Sequence, residues 1–226
     1  MRTIAIVVLT CLALSSAKAQ DEPEYRMEIG AGTGMANYEG DLSGNIFGNM
    51  QPRGELKAKY RMNPRMALAA SIGFGKLKGS AADTDTFYPQ PELEHYNFSN
   101  SMADVTARFE YNFWPFGTGR EYRGAKPLTP FITIGLGATY VNAKKNIVTA
   151  NLPIGAGIKY KVADRLNLTA EWIMHFTQSD KLDGVEDPYG IKSSGIFKNT
   201  DSYSVLALTL TYDIWAKCKT CHNDRD

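Results

Sequence analysis

Apolar and polar residues alternate with period two through most of the chain, in runs long enough to cross a bilayer. The clearest run is 203–214, where Leu206, Leu208, Leu210, Tyr212 and Ile214 share one face. Tyr203, Val205, Ala207, Thr209, Thr211 and Asp213 share the other. A helix would mix these two sets, whereas a strand separates them. The same division predicts strands over 25–36, 53–61, 66–76, 102–113, 129–141, 152–162 and 166–177. In 166–177, for example, Leu166, Leu168, Ala170, Trp172, Met174 and Phe176 oppose Asn167, Thr169, Glu171, Ile173, His175 and Thr177. Eight strands is an even number, and no linker, repeat or low-complexity tract divides them.

A soluble β-sandwich also alternates, but three features point to an eight-stranded antiparallel transmembrane β-barrel. Several runs reach about ten residues or more, against a usual strand of about five or six. Connections alternate between long (37–52, 77–100, 178–200) and short (62–65, 163–165), with 142–148 of middle length. Short turns on one side and long loops on the other are the outer-membrane pattern. Aromatic residues also gather at strand ends (Phe113, Trp114, Tyr140, Tyr160, Trp172, Tyr212 and Trp215), as an interfacial girdle requires. Both mature termini are then expected on the periplasmic side. One connection there, 114–128, is long and carries Trp114, Arg120, Arg123 and Lys126, which reads either as a solvated loop or as a docking surface.

A barrel of eight strands is about wide enough inside to be filled by its own side chains. The inward set is charged: Arg26, Glu28, Glu55, Lys57, Lys59, Arg61, Asp104, Arg108, Glu110, Lys159, Lys161, Glu171 and Asp213. Seven of these are basic and six acidic, so a mutually neutralising polar plug is expected instead of a wide channel. The alternative is a small barrel of the OmpA or OmpW type, acting as a pore or a ligand-binding protein.

Composition agrees with a two-faced barrel. The 226 residues are 43% hydrophobic and 22% charged, with net charge +1, and the mean hydropathy is −0.30. These values rule out a strongly basic nucleic-acid binder and argue against a helical membrane bundle. They leave room for barrel strands, whose average hydropathy is modest. At the N-terminus, Met1-Arg2, the apolar run from Ile4 to Leu14 and the small residues Ala17 and Ala19 read as a signal peptide spanning 1–19. The run is too short for a membrane anchor, and Thr10 before Cys11 argues against a lipoprotein. Its removal takes Arg2 and Lys18, turning the formal net charge from +1 to −1. The barrel then occupies 20–215, and the tail 216–226 carries Cys218 and Cys221, both in an oxidising compartment.

Catalytic chemistry finds little support. Glu171 and His175 share a strand face, but spacing places no serine nucleophile with them, so the lumen network is the expected home of His175. His95 lies in a loop and His222 in the tail. Cys218-Lys219-Thr220-Cys221-His222 fits the C-x-x-C-H haem-attachment pattern. A tail beyond the last strand offers neither an apolar pocket nor a second axial ligand, so no cofactor and no metal are expected. A disulfide within the tail, or a crosslink from Cys218 or Cys221 to a partner, is the stronger reading.

Four segments carry a family resemblance. Asn37-Tyr38-Glu39-Gly40-Asp41-Leu42 follows a glycine-rich first strand, and Leu152-Pro153-Ile154-Gly155-Ala156-Gly157-Ile158-Lys159-Tyr160 forms the sixth strand. Asp180-Lys181-Leu182-Asp183-Gly184-Val185 is an acidic loop, and a cysteine-bearing tail ends the chain. In this order they resemble the outer-membrane barrel of the Bacteroidetes type IX secretion system, of the PorG kind, across nearly the whole mature chain. The resemblance implies a non-enzymatic component of a protein-transport and gliding-motility machine. Its implied partners are outer-membrane lipids and a periplasmic ring built from a lipoprotein and its partner protein, with no nucleic acid. Gly184 departs from the family, which commonly has an acidic residue there, and this weakens cation binding by that loop.

Overall fold

A computed structural model describes residues 25–40, 48–81, 96–118, 125–143, 146–179, 182 and 201–216. Eight strands run up and down: β1 (Tyr25–Glu39), β2 (Gln51–Asn63), β3 (Met66–Ser80), β4 (Asn97–Asn112), β5 (Leu128–Asn142), β6 (Asn146–Ala163), β7 (Leu166–Thr177) and β8 (Ser202–Ala216). Each pairs antiparallel with its neighbour, and β1 pairs with β8, closing the barrel. Closure leaves no sheet edge, so every strand finds a backbone partner on both sides. With an even strand number both chain ends emerge together. That end, called the termini end below, also holds the two-residue turns 64–65 and 164–165 and residues 113–118 and 125–127.

The ladder runs further than the alternation predicted. β3 and β4 stay paired out to Ser80↔Asn97, inside what reads as a long loop. β6 begins at Asn146, so the 142–148 connection shrinks to 143–145. These extensions are rich in Asn, Ser and Lys, which read as turn residues in sequence but hydrogen-bond as strand once a neighbouring strand is held alongside. At the closing seam glycine is required at Gly30. A Cβ there would meet the Leu210 carbonyl oxygen at 2.0 Å and Thr211 Cα at 2.6 Å.

The two faces of the wall are inverted relative to a soluble protein. Outward residues are apolar and exposed on every strand, among them Leu56, Phe74, Val105, Leu136, Val148, Ile158, Trp172 and Leu208. Inward residues are buried, mostly polar or charged through the middle of the barrel and apolar toward the loop-bearing end, where Leu77, Phe98, Met102 and Val141 face in. Water would penalise such a continuous apolar exterior, and lipid matches it. The fold is therefore an eight-stranded antiparallel transmembrane β-barrel with a side-chain-filled interior. An outward tyrosine stands near the termini end of five strands (Tyr25, Tyr60, Tyr111, Tyr160 and Tyr212), at the level where aromatic rings favour a lipid–water boundary. The opposite end has a sparser set with Phe74 and Tyr140. Trp172 sits within the belt between Ala156 and Leu206, not at a strand end.

Candidate functional site

The lumen is built by strand parity, since alternate residues of all eight strands must point inward. Among the described residues, twelve charged groups on the strands are buried there, besides Asp201 at the loop-bearing mouth: Arg53, Lys57, Lys59, Arg61, Arg108 and Lys159 against Glu28, Glu55, Asp104, Glu110, Glu171 and Asp213. Six positive charges thus meet six negative ones. Ionised groups at this depth persist only when paired, because desolvation of a lone charge costs several kcal/mol.

The pairs form three connected groups along the axis. Nearest the loop-bearing end, Arg53 holds Asp104 at 2.8 Å and Glu55 at 2.9 Å. Lys57 joins Glu55 at 2.9 Å to Glu171, which Arg108 also reaches at 3.3 Å. In the middle, Glu110 lies 2.6 Å from Lys159 and 3.4 Å from Lys59, with both ammonium groups over the Phe131 ring. Toward the termini end, Arg61 clamps Glu28 and Asp213, the latter at 2.6 Å. Threonines complete the carboxylates: Thr209 donates to Glu55 at 2.6 Å and Thr211 to Glu28 at 2.9 Å.

Both mouths are closed. At the loop-bearing end Tyr38, Leu77, Phe98, Met102, Val141, Leu182, Tyr203 and Val205 form an apolar plug. Tyr38 stacks edge-on against Phe98 at 5.0 Å and donates its hydroxyl to Asp201. Asp201 also accepts from the Leu182 amide at 2.8 Å, which holds Leu182 in the plug. At the termini end the segment after β4 turns inward. Phe116 is buried, with the Arg61 guanidinium 6.0 Å and the Lys161 ammonium 5.7 Å from its ring centroid. Lys161 donates to the Gly117 carbonyl at 2.6 Å, and Thr118 donates to Asp213.

The predicted residues are thus sorted by position. Glu28, Glu55, Lys57, Lys59, Arg61, Asp104, Arg108, Glu110, Lys159, Glu171 and Asp213 come together in the lumen. Arg26 and Lys161 stand at the termini mouth, where Arg26 donates to the Tyr60 hydroxyl at 3.3 Å. Arg53 was missed, although it lies on the same parity as Glu55, because the alternation of β2 becomes obvious only after Gly54. Trp114 is exposed and Lys126 covers its ring at 4.6 Å. Arg120, Arg123, Cys218 and Cys221 lie outside the described residues, as do the signal segment, His95 and His222.

Glu171 and His175 are occupied separately. The carboxylate serves Lys57 and Arg108, while the imidazole stacks on Tyr203 at 4.4 Å with an interplanar angle of 8°. Among the described residues no group of three His, Cys, Asp or Glu side chains is arranged to hold a metal ion.

None of the curated proteins compared with this chain matches it. Among solved structures it is similar to Ail, the attachment invasion locus protein of Yersinia pestis, with 13% identity and TM-score 0.48 over 84% of this chain and 99% of that one. Neisserial surface protein A aligns with 14% identity and TM-score 0.49 over 83% and 97% of the two chains. The N-terminal β-barrel domain of Pseudomonas aeruginosa OprF aligns with 13% identity and TM-score 0.47 over 85% and 100%. The match that spans the barrel and its flanks is to a family: residues 2–223 match the domain of unknown function DUF6089, and the chain belongs to that family.

Proposed function

We infer that the protein is a non-enzymatic outer-membrane component of a protein secretion machine of the type IX kind. In this reading it anchors or docks periplasmic ring proteins, a lipoprotein and its partner, at the termini end. The observation that carries the reading is the sealed lumen, with charge balanced at its centre, an apolar plug at one mouth and Phe116 at the other. Such a barrel offers surfaces instead of a pathway. The motif order in the sequence supplies the kind of machine, through its resemblance to the PorG barrel. The location of both termini in the periplasm rests on the two-residue turns beside them and the longer connections opposite.

Deleting the gene is expected to abolish export of the machine's cargo while the cargo accumulates inside the envelope. Normal secretion in the deletion strain overturns the reading. Replacing Cys218 and Cys221 with Ser is expected to remove a crosslinked partner band from non-reducing gels. A band that persists in the double variant would exclude these thiols from docking.

A further inference from the structure

We propose that the rim at the termini end binds the phosphate groups of anionic phospholipids through Arg65 and Arg165, on opposite sides of the barrel. The inference rests on the transmembrane fold and on the periplasmic placement of the termini, and it is independent of the secretion reading.

Two turns on this rim are built alike. Pro64-Arg65 joins β2 to β3, and Asp164-Arg165 joins β6 to β7, four strands further round a closed ring of eight. Each follows a register shift in its hairpin, at Arg61/Asn63 in one and Lys161/Ala163 in the other. In each, the arginine carbonyl accepts an amide from the end of the next strand, Asn112 at 2.7 Å and Asp213 at 2.8 Å. The backbone therefore presents two arginines in matching positions at the edge of the apolar belt.

Their side chains lie along the outside of the wall. The Arg165 guanidinium sits between outward rings, 4.7 Å from the Tyr25 centroid and 4.5 Å from that of Tyr212. Its Nε and Nη2 donate to the Asp213 carbonyl at 3.1 Å and 2.7 Å. Arg65, which is exposed, donates through Nη1 to the Phe113 carbonyl at 2.9 Å. A guanidinium has five N–H donors, so most of them on each arginine have no acceptor among the described residues. Neither arginine forms an ion pair there, in contrast to Arg53, Arg61 and Arg108 inside the lumen.

Charge complementarity names the occupant. At the tyrosine level a cation meets lipid headgroups, and a planar guanidinium matches a phosphate in a two-pronged contact. Stacking on Tyr25 and Tyr212 fixes the plane of Arg165 in advance, which lowers the entropy lost on binding. Phospholipid, not lipid A, is the phosphate source because the termini end is placed in the periplasmic leaflet.

Native mass spectrometry of the detergent-purified full barrel, titrated separately with phosphatidylglycerol, phosphatidylethanolamine and lipid A, tests the proposal. Phosphatidylglycerol is expected to bind more tightly than either alternative. R65Q/R165Q is expected to weaken binding about five-fold at each of the two separate sites, one cation being lost from the headgroup plane at each. K76Q/K78Q, which alters two exposed lysines near the opposite end of β3, is expected to leave it unchanged. Unchanged phosphatidylglycerol affinity in R65Q/R165Q, equal affinity for phosphatidylethanolamine, or preferential lipid A binding each overturns the proposal. If the double variant loses its heat-modifiable gel mobility, R65Q alone decides, with a loss of about five-fold expected at one of the two sites and none at the other.

Discussion

Glu171 accepts from Lys57 and from Arg108, and no other carboxylate reaches Arg108 among the described residues. Neutralising Glu171 would leave a buried guanidinium without its counterion, which costs about 3–5 kcal/mol when one partner of a buried pair is removed. Glu171→Gln is accordingly expected to lower unfolding free energy by about that amount, read from urea titration of the barrel in liposomes. An unchanged midpoint would show that water, not Glu171, neutralises Arg108. Gly73 is tied to the same group of charges. A Cβ there would fall 1.8 Å from Arg53 Nη2, so the missing side chain is what lets Arg53 cross to Asp104.

Strand pairing is decided at the seam between β1 and β8, joined in sequence by nearly the whole chain. Glu28 on β1 lies opposite Asp213 on β8, two carboxylates side by side, and Arg61 from β2 bridges them. The seam is narrow at Gly30, where a side chain would strike backbone and not a flexible group. Gly30→Val is therefore expected to prevent closure and abolish the heat-modifiable band on a gel, whereas Ala31→Val on the lipid side should retain it. The segment 113–118 behaves as part of this element architecture and not as a free loop. Thr129 both accepts from the Trp114 amide at 3.0 Å and donates to its carbonyl at 3.1 Å, and the Phe116 amide donates to Pro64 at 3.0 Å. These bonds hold Phe116 beneath the mouth, while Trp114 and Lys126 are exposed beside it.

For the whole molecule, closure at three levels makes an ion pathway expensive. An ion entering from the loop-bearing end must displace the Tyr38–Phe98 plug and then compete with ion pairs already made. Planar-bilayer recordings of the purified barrel are expected to show no steady conductance above the lipid background. A stable ohmic step would favour the pore alternative and would require the lumen charges to rearrange. The exterior sets the other constraint. Aromatic rings concentrated at the termini end favour holding that end at a lipid–water boundary.

Period-two alternation alone determined the number of strands, their faces and the charged character of the interior, because a strand's side-chain direction is set locally by its pleat. It therefore placed Lys57, Glu110 and Glu171 inside before any pairing was known. Strand ends escaped it at 77–80 and 97–101, where the sense of the alternation reverses: apolar Leu77 and Phe98 face inward while Lys78, Asn97 and Ser99 are exposed. Only the tertiary structure decided who pairs with whom. Arg53 meets Asp104 across 51 positions and Lys57 meets Glu171 across 114, through the register and curvature of the closed wall. It also gathered Tyr38, Phe98, Met102 and Tyr203 into one plug, and drew Phe116 into the opposite mouth. Alternation is a property of single strands, whereas sealing depends on the stagger of eight of them around one axis.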